Sequence, residues 1–278
     1  MTSVVNTQQS EMWNGYEGTR WAEQEERWDA INGVFNADLF EVAGIATHHR
    51  VLDVGCGNGE TTRLAARRAT GGEVIGIDLS VPMLDRARAA AEREGLANVQ
   101  FVHGDAQAYP FADAEFDVNI SRFGLTFFAD AVVALGNIHR AVRPGGRLAA
   151  VCVGDYSRGD WAPVIGAMAA SLPLSFLEQP NPRDALADPG NIEAVLTAAG
   201  FTEVSTTELV RPNVWGSSAE DAAEFLLNFG PVHSVYEQVD AGTASRARDA
   251  VAAVFEKHLT GEGVLLHTPA WLISAVRP

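Results

Sequence analysis

The 278-residue sequence predicts an α/β protein with a doubly wound, seven-stranded and mostly parallel sheet that carries helices on both faces. Two observations support this fold class. Short apolar runs alternate with helical stretches of about 10–15 residues, which is typical of βαβ units. These runs do not alternate strictly with polar residues, as expected for strands covered on both faces. The composition, 47% hydrophobic and 20% charged, is that of a globular chain.

Residues 1–45 predict an N-terminal helical arm. Residues 1–26 are polar but contain three large aromatic residues, Trp13, Tyr16 and Trp21. Residues 27–43 have apolar side chains at helical spacing, and Gly44 ends this helix. Because a polar arm cannot form a core of its own, we expect it to fold over a neighbouring cleft as a lid that excludes water. The alternative is that its rings only anchor the arm to the sheet.

Residues 46–155 predict the central part of the sheet. The expected strands are 50–54, 73–77, 99–103, 116–121 and 147–153. The expected helices are 60–69, 81–94 and 130–142. Ser80 is a suitable cap for the second helix, which has Pro82 in its first turn. The segment Pro144-Gly145-Gly146 stops the third helix and leads into the fifth strand.

Residues 156–278 predict the part of the chain that completes the sheet. Residues 155–190 are rich in Pro and Gly. Further helices are expected at 160–172 and 192–199, and further strands at 201–210 and 264–276. Residues 211–260 have helical patterns, so we expect a helical insertion before the last strand, covering the mouth of the sheet.

The formal net charge of -16 argues against a nucleic-acid partner, which would need clustered Lys and Arg side chains. The two cysteines, Cys56 and Cys152, indicate neither a disulfide framework nor a metal site, which fits a cytoplasmic location. No signal peptide or membrane span is expected. A homo-oligomer is compatible with the sequence.

The segment from Val51 to Glu60 is the most informative motif, because an apolar strand runs into a loop with Gly55, Gly57 and Gly59. Glycines allow a tight turn and a close approach of ligand to main chain. A dinucleotide fingerprint would need glycine where Glu60 stands, and a carboxylate at a helix N-terminus repels pyrophosphate. Together with Asp53 before the loop, which suits an ammonium group, this pattern favours a phosphate-free nucleoside that carries an amino acid.

Two further acids follow strands. Asp78 ends the second strand and can accept hydrogen bonds from ribose hydroxyls, and Asp105 follows the third strand and can accept from an adenine amine. The carboxyl ends of neighbouring parallel strands meet in one crevice, so we expect these acids at a common site. Each acid by itself is equally consistent with a turn or cap residue.

These motifs resemble those of class I S-adenosylmethionine-dependent methyltransferases, in the group that contains ubiquinone/menaquinone C-methyltransferases and many antibiotic-pathway enzymes. The resemblance covers about residues 50–153 and implies a Rossmann-like fold that binds S-adenosylmethionine and releases S-adenosylhomocysteine. It implies that the glycine loop holds the methionine moiety, Asp78 the ribose, and Asp105 with Ala106 the adenine edge. The candidate cofactor-binding residues are Asp53, Gly55, Cys56, Gly57, Asn58, Gly59, Asp78, Leu79, Met83, Gly104, Asp105, Ala106, Ser121, Tyr16 and Trp21.

The acceptor is expected to be a small, apolar or aromatic molecule, such as a secondary metabolite or a quinone precursor. The candidate acceptor-lining residues are Phe123, Phe127, Phe128 and Trp13. Packing in the core is an equal alternative for Phe127 and Phe128. Methyl transfer is an in-line displacement that depends mainly on positioning, and no metal-binding spacing is present, so no metal is expected.

The catalytic residues are left unassigned by the sequence. The candidate general bases are Asp155, His233 and Tyr236, and a surface or capping role is favoured for each. Related families often carry a histidine soon after the fourth strand, where this chain has Thr126-Phe127-Phe128. Two alternative functions remain open: a non-methylating cyclase that binds S-adenosylmethionine on the same fold, and a nicotinamide-dependent oxidoreductase, which Glu60 disfavours.

Overall fold

The computed structural model describes residues 4–175 and 186–278 of the chain. Residues 1–3 of the arm, and residues 176–185 of the stretch rich in Pro and Gly, lie outside these ranges. Within them, no helix combines the length and the apolar character that a membrane crossing requires.

The N-terminal arm consists of short consecutive helices. They are α1 (Thr7–Asn14), α2 (Tyr16–Glu23), α3 (Glu25–Asn32), a 3-10 turn (Gly33–Phe35) and α4 (Asn36–Ala43). The single helix predicted over 27–43 is therefore divided, and Phe35 of the 3-10 turn is completely buried. Gly44 has a left-handed φ of 55° and ends α4, as predicted.

The central region alternates strands and helices as predicted. Its strands are β1 (Arg50–Val54), β2 (Glu73–Asp78), β3 (Val99–His103), β4 (Phe116–Arg122) and β5 (Val142–Val153), and its helices are α5 (Glu60–Ala66), α6 (Val81–Arg93) and α7 (Ala131–Ala141). Strand β5 begins earlier than expected. The Gly145 amide donates to the Arg277 carbonyl, and the Arg277 amide donates to the Gly146 carbonyl, so the chain terminus makes these glycines part of the strand.

The remaining elements complete the sheet and cap it. They are α8 (Trp161–Ser171), α9 (Pro189–Ala198), β6 (Thr202–Val214), α10 (Ala219–Leu227), α11 (Gly230–Tyr236), α12 (Ala241–Phe255), β7 (Leu259–Thr260) and β8 (Gly263–Val276). Strand β6 runs to Val214, which pairs with Leu265, rather than ending at residue 210. The helical insertion therefore starts after Val214, and it precedes the last long strand as predicted.

The strand order is β3-β2-β1-β4-β5-β8-β6, with the two-residue strand β7 paired to β8 alone. Strands β1 to β5 are parallel, and β8 is antiparallel to both neighbours. The predicted seven-stranded, mostly parallel sheet is thus confirmed, with β7 as a small addition. The order reverses between β1 and β4, and open α/β sheets bind ligands at such a point.

Helices cover both faces of this sheet. On one face, α7 and α9 pack on β1, β2 and β5, where Leu52, Leu135 and Ile138 are completely buried. On the other face, α4 and α5 pack on Val51 and Val118. A separate apolar cluster joins α3, α8, α10 and α12. Because this cluster lies above the sheet's ligand-binding edge, the helical arm and the insertion form the upper wall of a cavity.

Candidate functional site

A cavity of about 660 Å³ lies at the carboxyl ends of β1, β2 and β4. That volume is in the usual range for small-molecule sites. One side is formed by the glycine loop and by the ends of the strands, and the other by side chains of the arm, of the segments after β4 and β5, of α8 and of the insertion. The first side contains Gly55, Cys56, Gly57, Asn58, Gly59, Glu60, Asp78, Leu79, Met83, Gly104, Asp105 and Ala106.

The glycine loop has a backbone that other residues rarely adopt. Gly55, Gly57 and Gly59 have φ values of 68°, 53° and 79°. A Cβ atom at Gly55 would lie 2.6 Å from the Gly124 Cα, which is closer than atoms can approach. Gly55 is therefore needed for the close packing of the loop against Gly124, and the main chain of all three glycines lines the cavity.

Asp53 lies under this loop and does not line the cavity. Its Oδ2 atom accepts hydrogen bonds of 2.7 Å from the hydroxyls of Thr61 and Thr62, at the start of α5. Burial raises the pKa of this carboxyl to about 6. Its Oδ1 atom has no hydrogen-bond partner among the described residues, and its contact with a ligand ammonium group stays a prediction. Asp53 fixes the start of α5 to the end of β1.

Asp78 lines the cavity at the end of β2 and holds the glycine loop in place. Its Oδ2 atom accepts a 2.8 Å hydrogen bond from the Gly57 amide, and its Oδ1 atom accepts one of 2.8 Å from the Ser80 amide. Burial raises the pKa of the carboxyl, although these amides oppose the shift. Because the carboxyl lines the cavity, it can also face a hydrogen-bond donor of a ligand, such as a hydroxyl.

Asp105 joins the arm to the sheet. Its Oδ2 atom accepts hydrogen bonds from the backbone amides of Val5 and Asn6, at 3.0 and 2.9 Å, and its Oδ1 atom accepts one of 3.0 Å from Gln107. The Asn6 side chain donates to the Phe127 carbonyl at 2.7 Å. The arm thus covers the edge where the sequence predicted an adenine amine, and Oδ1 retains one free lone pair.

The arm is also attached to the segment that follows β2. The Asn14 side chain donates to the Leu79 carbonyl at 2.8 Å and accepts from the Val81 amide at 3.0 Å. The Ser80 hydroxyl donates to the Trp13 carbonyl at 2.7 Å. These contacts position α1 and α2 across the cavity.

A charged cluster lies where the two sides of the cavity meet. Asp29, Glu60 and Arg122 all line the cavity. Arg122 contacts Glu60 at 2.5 Å and Asp29 at 4.0 Å, and Arg63 lies 3.5 Å from Asp29. Burial and the neighbouring Glu60 raise the pKa of Asp29 to about 7, against the effect of the two arginines. A cavity carboxyl with such a pKa can both give and accept a proton near neutral pH.

The second side of the cavity is mainly aromatic. Trp21 and Trp28 are stacked with ring centroids 3.8 Å apart, and the edge of Trp28 meets Phe229 at 4.9 Å. Two polar side chains here, Asn213 and Thr268, bond to each other at 2.8 Å. The aromatic and other apolar side chains of this side are Met12, Trp13, Trp21, Trp28, Phe123, Phe127, Phe128, Tyr156, Trp161, Ile165, Met168, Trp215, Leu226 and Phe229. This composition suits a flat or apolar molecule.

Most of the residues predicted from the sequence lie at this cavity, including Trp21 and the four candidate acceptor-lining residues. Ser121 does not line the cavity, because its completely buried hydroxyl donates to the Val54 carbonyl at 2.7 Å. Tyr16 is 43% exposed and stacks on His233 at a centroid distance of 3.8 Å, away from the lining. The structure thus gives these two cofactor candidates other positions.

The three candidate bases do not line the cavity. Asp155 is bonded to Ser157 and Arg158, which lower the pKa of its carboxyl, and it lies at a separate surface depression. His233 is paired with Tyr16, and Tyr236 packs against the helical cluster of the insertion. Burial raises the pKa of Tyr236 above its ordinary value, which does not suit a base.

Sequence reasoning missed Trp28, Asp29 and Arg122 as cavity residues. Trp28 and Asp29 lie in the stretch that was interpreted only as an amphipathic helix. Its pattern indicates that one face is buried, but it does not indicate that a polar residue at the border of this face meets Arg63 and Glu60. The sequence signal that could have indicated a site here was an acid, Asp29, directly after a tryptophan, Trp28, on a predicted amphipathic helix.

The cavity side of the glycine loop fits S-adenosylmethionine. A side chain at Gly57 would take up space beside the main chain, since its Cβ atom would lie 2.8 Å from the Cε atom of Met83, which also lines the cavity. The buried Asn58 Oδ1 atom has no hydrogen-bond partner among the described residues. Among these residues, no group of three or more His, Cys, Asp or Glu side chains is arranged to hold a metal ion.

A parallel sheet with a bare glycine loop after β1 and acids after β2 and β3 defines a nucleoside-binding protein of the methyltransferase class. A family model described as "Methyltransferase domain" matches residues 51–146. The chain is 33% identical to a demethylmenaquinone methyltransferase of Thermus thermophilus, over 63% of this chain and 88% of the relative. The chain belongs to the class I S-adenosylmethionine-dependent methyltransferases, and S-adenosylmethionine is its methyl donor.

Two further comparisons extend this result. An uncharacterized protein of Mycobacterium tuberculosis is 33% identical over 72% of this chain and 71% of its own. The structure of the [4+2]-cyclase SpnF matches with a TM-score of 0.59 at 21% identity, covering 94% of each chain. The second likeness concerns the fold, and it shows that a protein named a cyclase has this fold.

Proposed function

We propose that this protein transfers the methyl group of S-adenosylmethionine to a small, apolar or aromatic acceptor of the secondary-metabolite or quinone kind. The observation that carries the proposal is one cavity that joins the glycine loop to a wall of tryptophan and phenylalanine side chains. The Thermus thermophilus relative, whose name refers to a quinone, supports an acceptor of this type.

The cofactor would lie along the ends of β1, β2 and β3. The bare main chain from Gly55 to Gly59 would hold the methionine moiety, the free lone pairs of Asp78 would accept from the ribose hydroxyls, and Asp105 with Ala106 would face the adenine edge. This orientation places the methyl end toward the aromatic side, where Phe123, Phe127 and Trp13 would hold the acceptor.

The cofactor supplies a methyl group that is already activated by its positive sulfur. The chain therefore has to align the acceptor at about 3–3.5 Å from that methyl and to keep water out. The arm is suited to the second task, because Asn6, just before α1, is bonded to Asp105, and Asn14, at the end of α1, is bonded to Leu79 and Val81.

Two measurements test this proposal. Calorimetry should show binding of S-adenosylhomocysteine and no binding of NADH, and mass spectrometry should show the gain of one methyl group in at least one aromatic acceptor from a panel of naphthols, naphthoquinols and polyketide phenols. A protein that binds the cofactor but rearranges an acceptor without any gain in mass would instead be a cyclase, the alternative that the SpnF likeness keeps open. Tight NADH binding would exclude both.

A further inference from the structure

Asp29 lies at the junction between the glycine-loop side and the aromatic side of the cavity. It comes from α3, and 21% of its side chain is exposed. The charged groups that face it are Arg122 at the end of β4, Arg63 and Glu60 on α5, and Glu25 on its own helix.

The Asp29 carboxylate is incompletely satisfied. It accepts no side-chain hydrogen bond from the part of the chain that the structure describes, and its two arginine neighbours make their shorter contacts elsewhere. Arg122 donates to Glu60 at 2.5 Å and to Asn36 at 2.8 Å. Arg63 donates to the Asn58 carbonyl at 2.7 Å and to Glu94 at 3.0 Å.

The environment of Asp29 suits a carboxyl that gains and loses a proton during a reaction. Burial and Glu60 raise the pKa of Asp29 to about 7, so that both forms are populated at neutral pH. A general base is most effective when its pKa lies near the working pH. The candidate bases chosen from the sequence lie away from the cavity, whereas Asp29 lines it.

We infer that Asp29 is the catalytic base and accepts the proton of an aromatic hydroxyl group on the acceptor. This inference rests on the proposed function and narrows its acceptor class. A neutral amine attacks without first losing a proton, and a carbon–hydrogen bond is too weakly acidic for a carboxylate. A phenolic hydroxyl is the acceptor group that a carboxylate in an apolar cavity serves best.

In this step the hydroxyl proton passes to the Asp29 carboxylate. The electron pair of the O–H bond stays on the oxygen, which forms the new bond to the methyl carbon. The carbon–sulfur bond breaks, and its electron pair remains on sulfur to give neutral S-adenosylhomocysteine. Asp29 then releases the proton to solvent.

The test uses the whole protein with S-adenosylmethionine and 2-naphthol as the probe. Methylation is measured as kcat and KM from about pH 5 to about pH 9, for wild type, Asp29→Asn, Asp29→Glu and Glu26→Gln. Glu26→Gln is the matched control, because Glu26 lies on the same helix but is exposed and does not line the cavity. Carbon-13 NMR of the carboxyl groups follows the protonation of Asp29 without turnover.

We expect wild-type kcat to rise with pH through about 7, and Asp29→Asn to lose that rise and about 100-fold in kcat while it keeps its calorimetric affinity for S-adenosylhomocysteine. Asp29→Glu should recover part of the rate, and Glu26→Gln should behave as wild type. The carboxyl signal that titrates near pH 7 should be absent in Asp29→Asn.

Three results would overturn the inference. The first is an unchanged pH profile in Asp29→Asn. The second is a loss of cofactor affinity with unchanged kcat, which would make Asp29 a cofactor contact. The third is a wild-type protein that binds S-adenosylhomocysteine and methylates other acceptors but not 2-naphthol or any other phenol. If the protein bound no S-adenosylhomocysteine, the proposed function itself would fail.

Discussion

Asp78 holds the loop amide of Gly57 and lines the cavity, where we propose that it accepts from the ribose hydroxyls of the cofactor. We expect Asp78→Asn to weaken S-adenosylhomocysteine binding by about tenfold or more, because one acceptor oxygen becomes a donor that faces another donor. Calorimetry measures the change. Asp85→Asn, an exposed acid on α6, is the control and should leave affinity unchanged.

Asp29 makes the stability of the protein depend on pH. Its pKa rises from an ordinary 3.8 to about 7 in the folded state, so between these values the folded protein binds a proton that the unfolded chain has lost. Stability contributed by this proton is present at low pH and is lost as pH rises through about 7.

The Asp29→Asn variant has no carboxyl to ionise, so it should gain stability relative to wild type as pH rises. At each pH, the free energy of unfolding of wild type is subtracted from that of Asp29→Asn. We expect this difference to be about 1–3 kcal/mol larger, in favour of the variant, at about pH 8 than at about pH 5. Urea unfolding at the two pH values measures this difference. If this difference were the same at both pH values, the ionisation of Asp29 would have no energetic cost in the folded protein.

At the scale of the element, the N-terminal arm depends on a few polar contacts. Asn14→Ala removes two hydrogen bonds between α1 and the segment after β2. Each is worth about 0.5–1.5 kcal/mol, so the arm should open several-fold more often. Limited trypsin digestion should cut faster after Arg20. Gln8→Ala, an exposed position on the same helix, should digest as wild type does.

The strands were predictable because their signal is local. An apolar run between turn residues fixes β1 to β4 almost to the residue, and Ser80 accepts from the Met83 amide as a cap should. The start of β5 and the end of β6 were not predictable. The early start of β5 depends on Phe116 of β4 and on Arg277, and the end of β6 depends on Leu265 of β8, all of them distant in the sequence.

The candidate site also has features that the local sequence predicts and features that depend on distant contacts. Glycines and acids at strand ends are placed by the fold, so most of the motif residues lie at the cavity. The directions of side chains are set by neighbours: Asp53 turns under the loop to Thr61 and Thr62, and Tyr16 turns outward to His233. Asp29 becomes a site residue only when α3 packs against α5, a contact that no motif records.

At the scale of the whole molecule, the cavity links ligand binding to folding, because its walls come from the arm, the sheet and the insertion. A ligand that binds the folded state alone stabilises it by about 2.7 kcal/mol at 100 times its dissociation constant. We expect S-adenosylhomocysteine at that concentration to raise the melting temperature by about 5 °C. Differential scanning fluorimetry measures the shift, with NADH as the control that should give none.

The two ends of the chain differ in their relation to the cavity. The backbone of Val5 and Asn6 is hydrogen-bonded to Asp105 at the cavity edge, whereas Val276 pairs with Arg147 near the opposite edge of the sheet. A bulky group attached close to Val5 would therefore lie beside this edge of the cavity and compete for space with incoming small molecules. For purification, immobilisation or surface-based binding assays, an affinity tag belongs after Pro278.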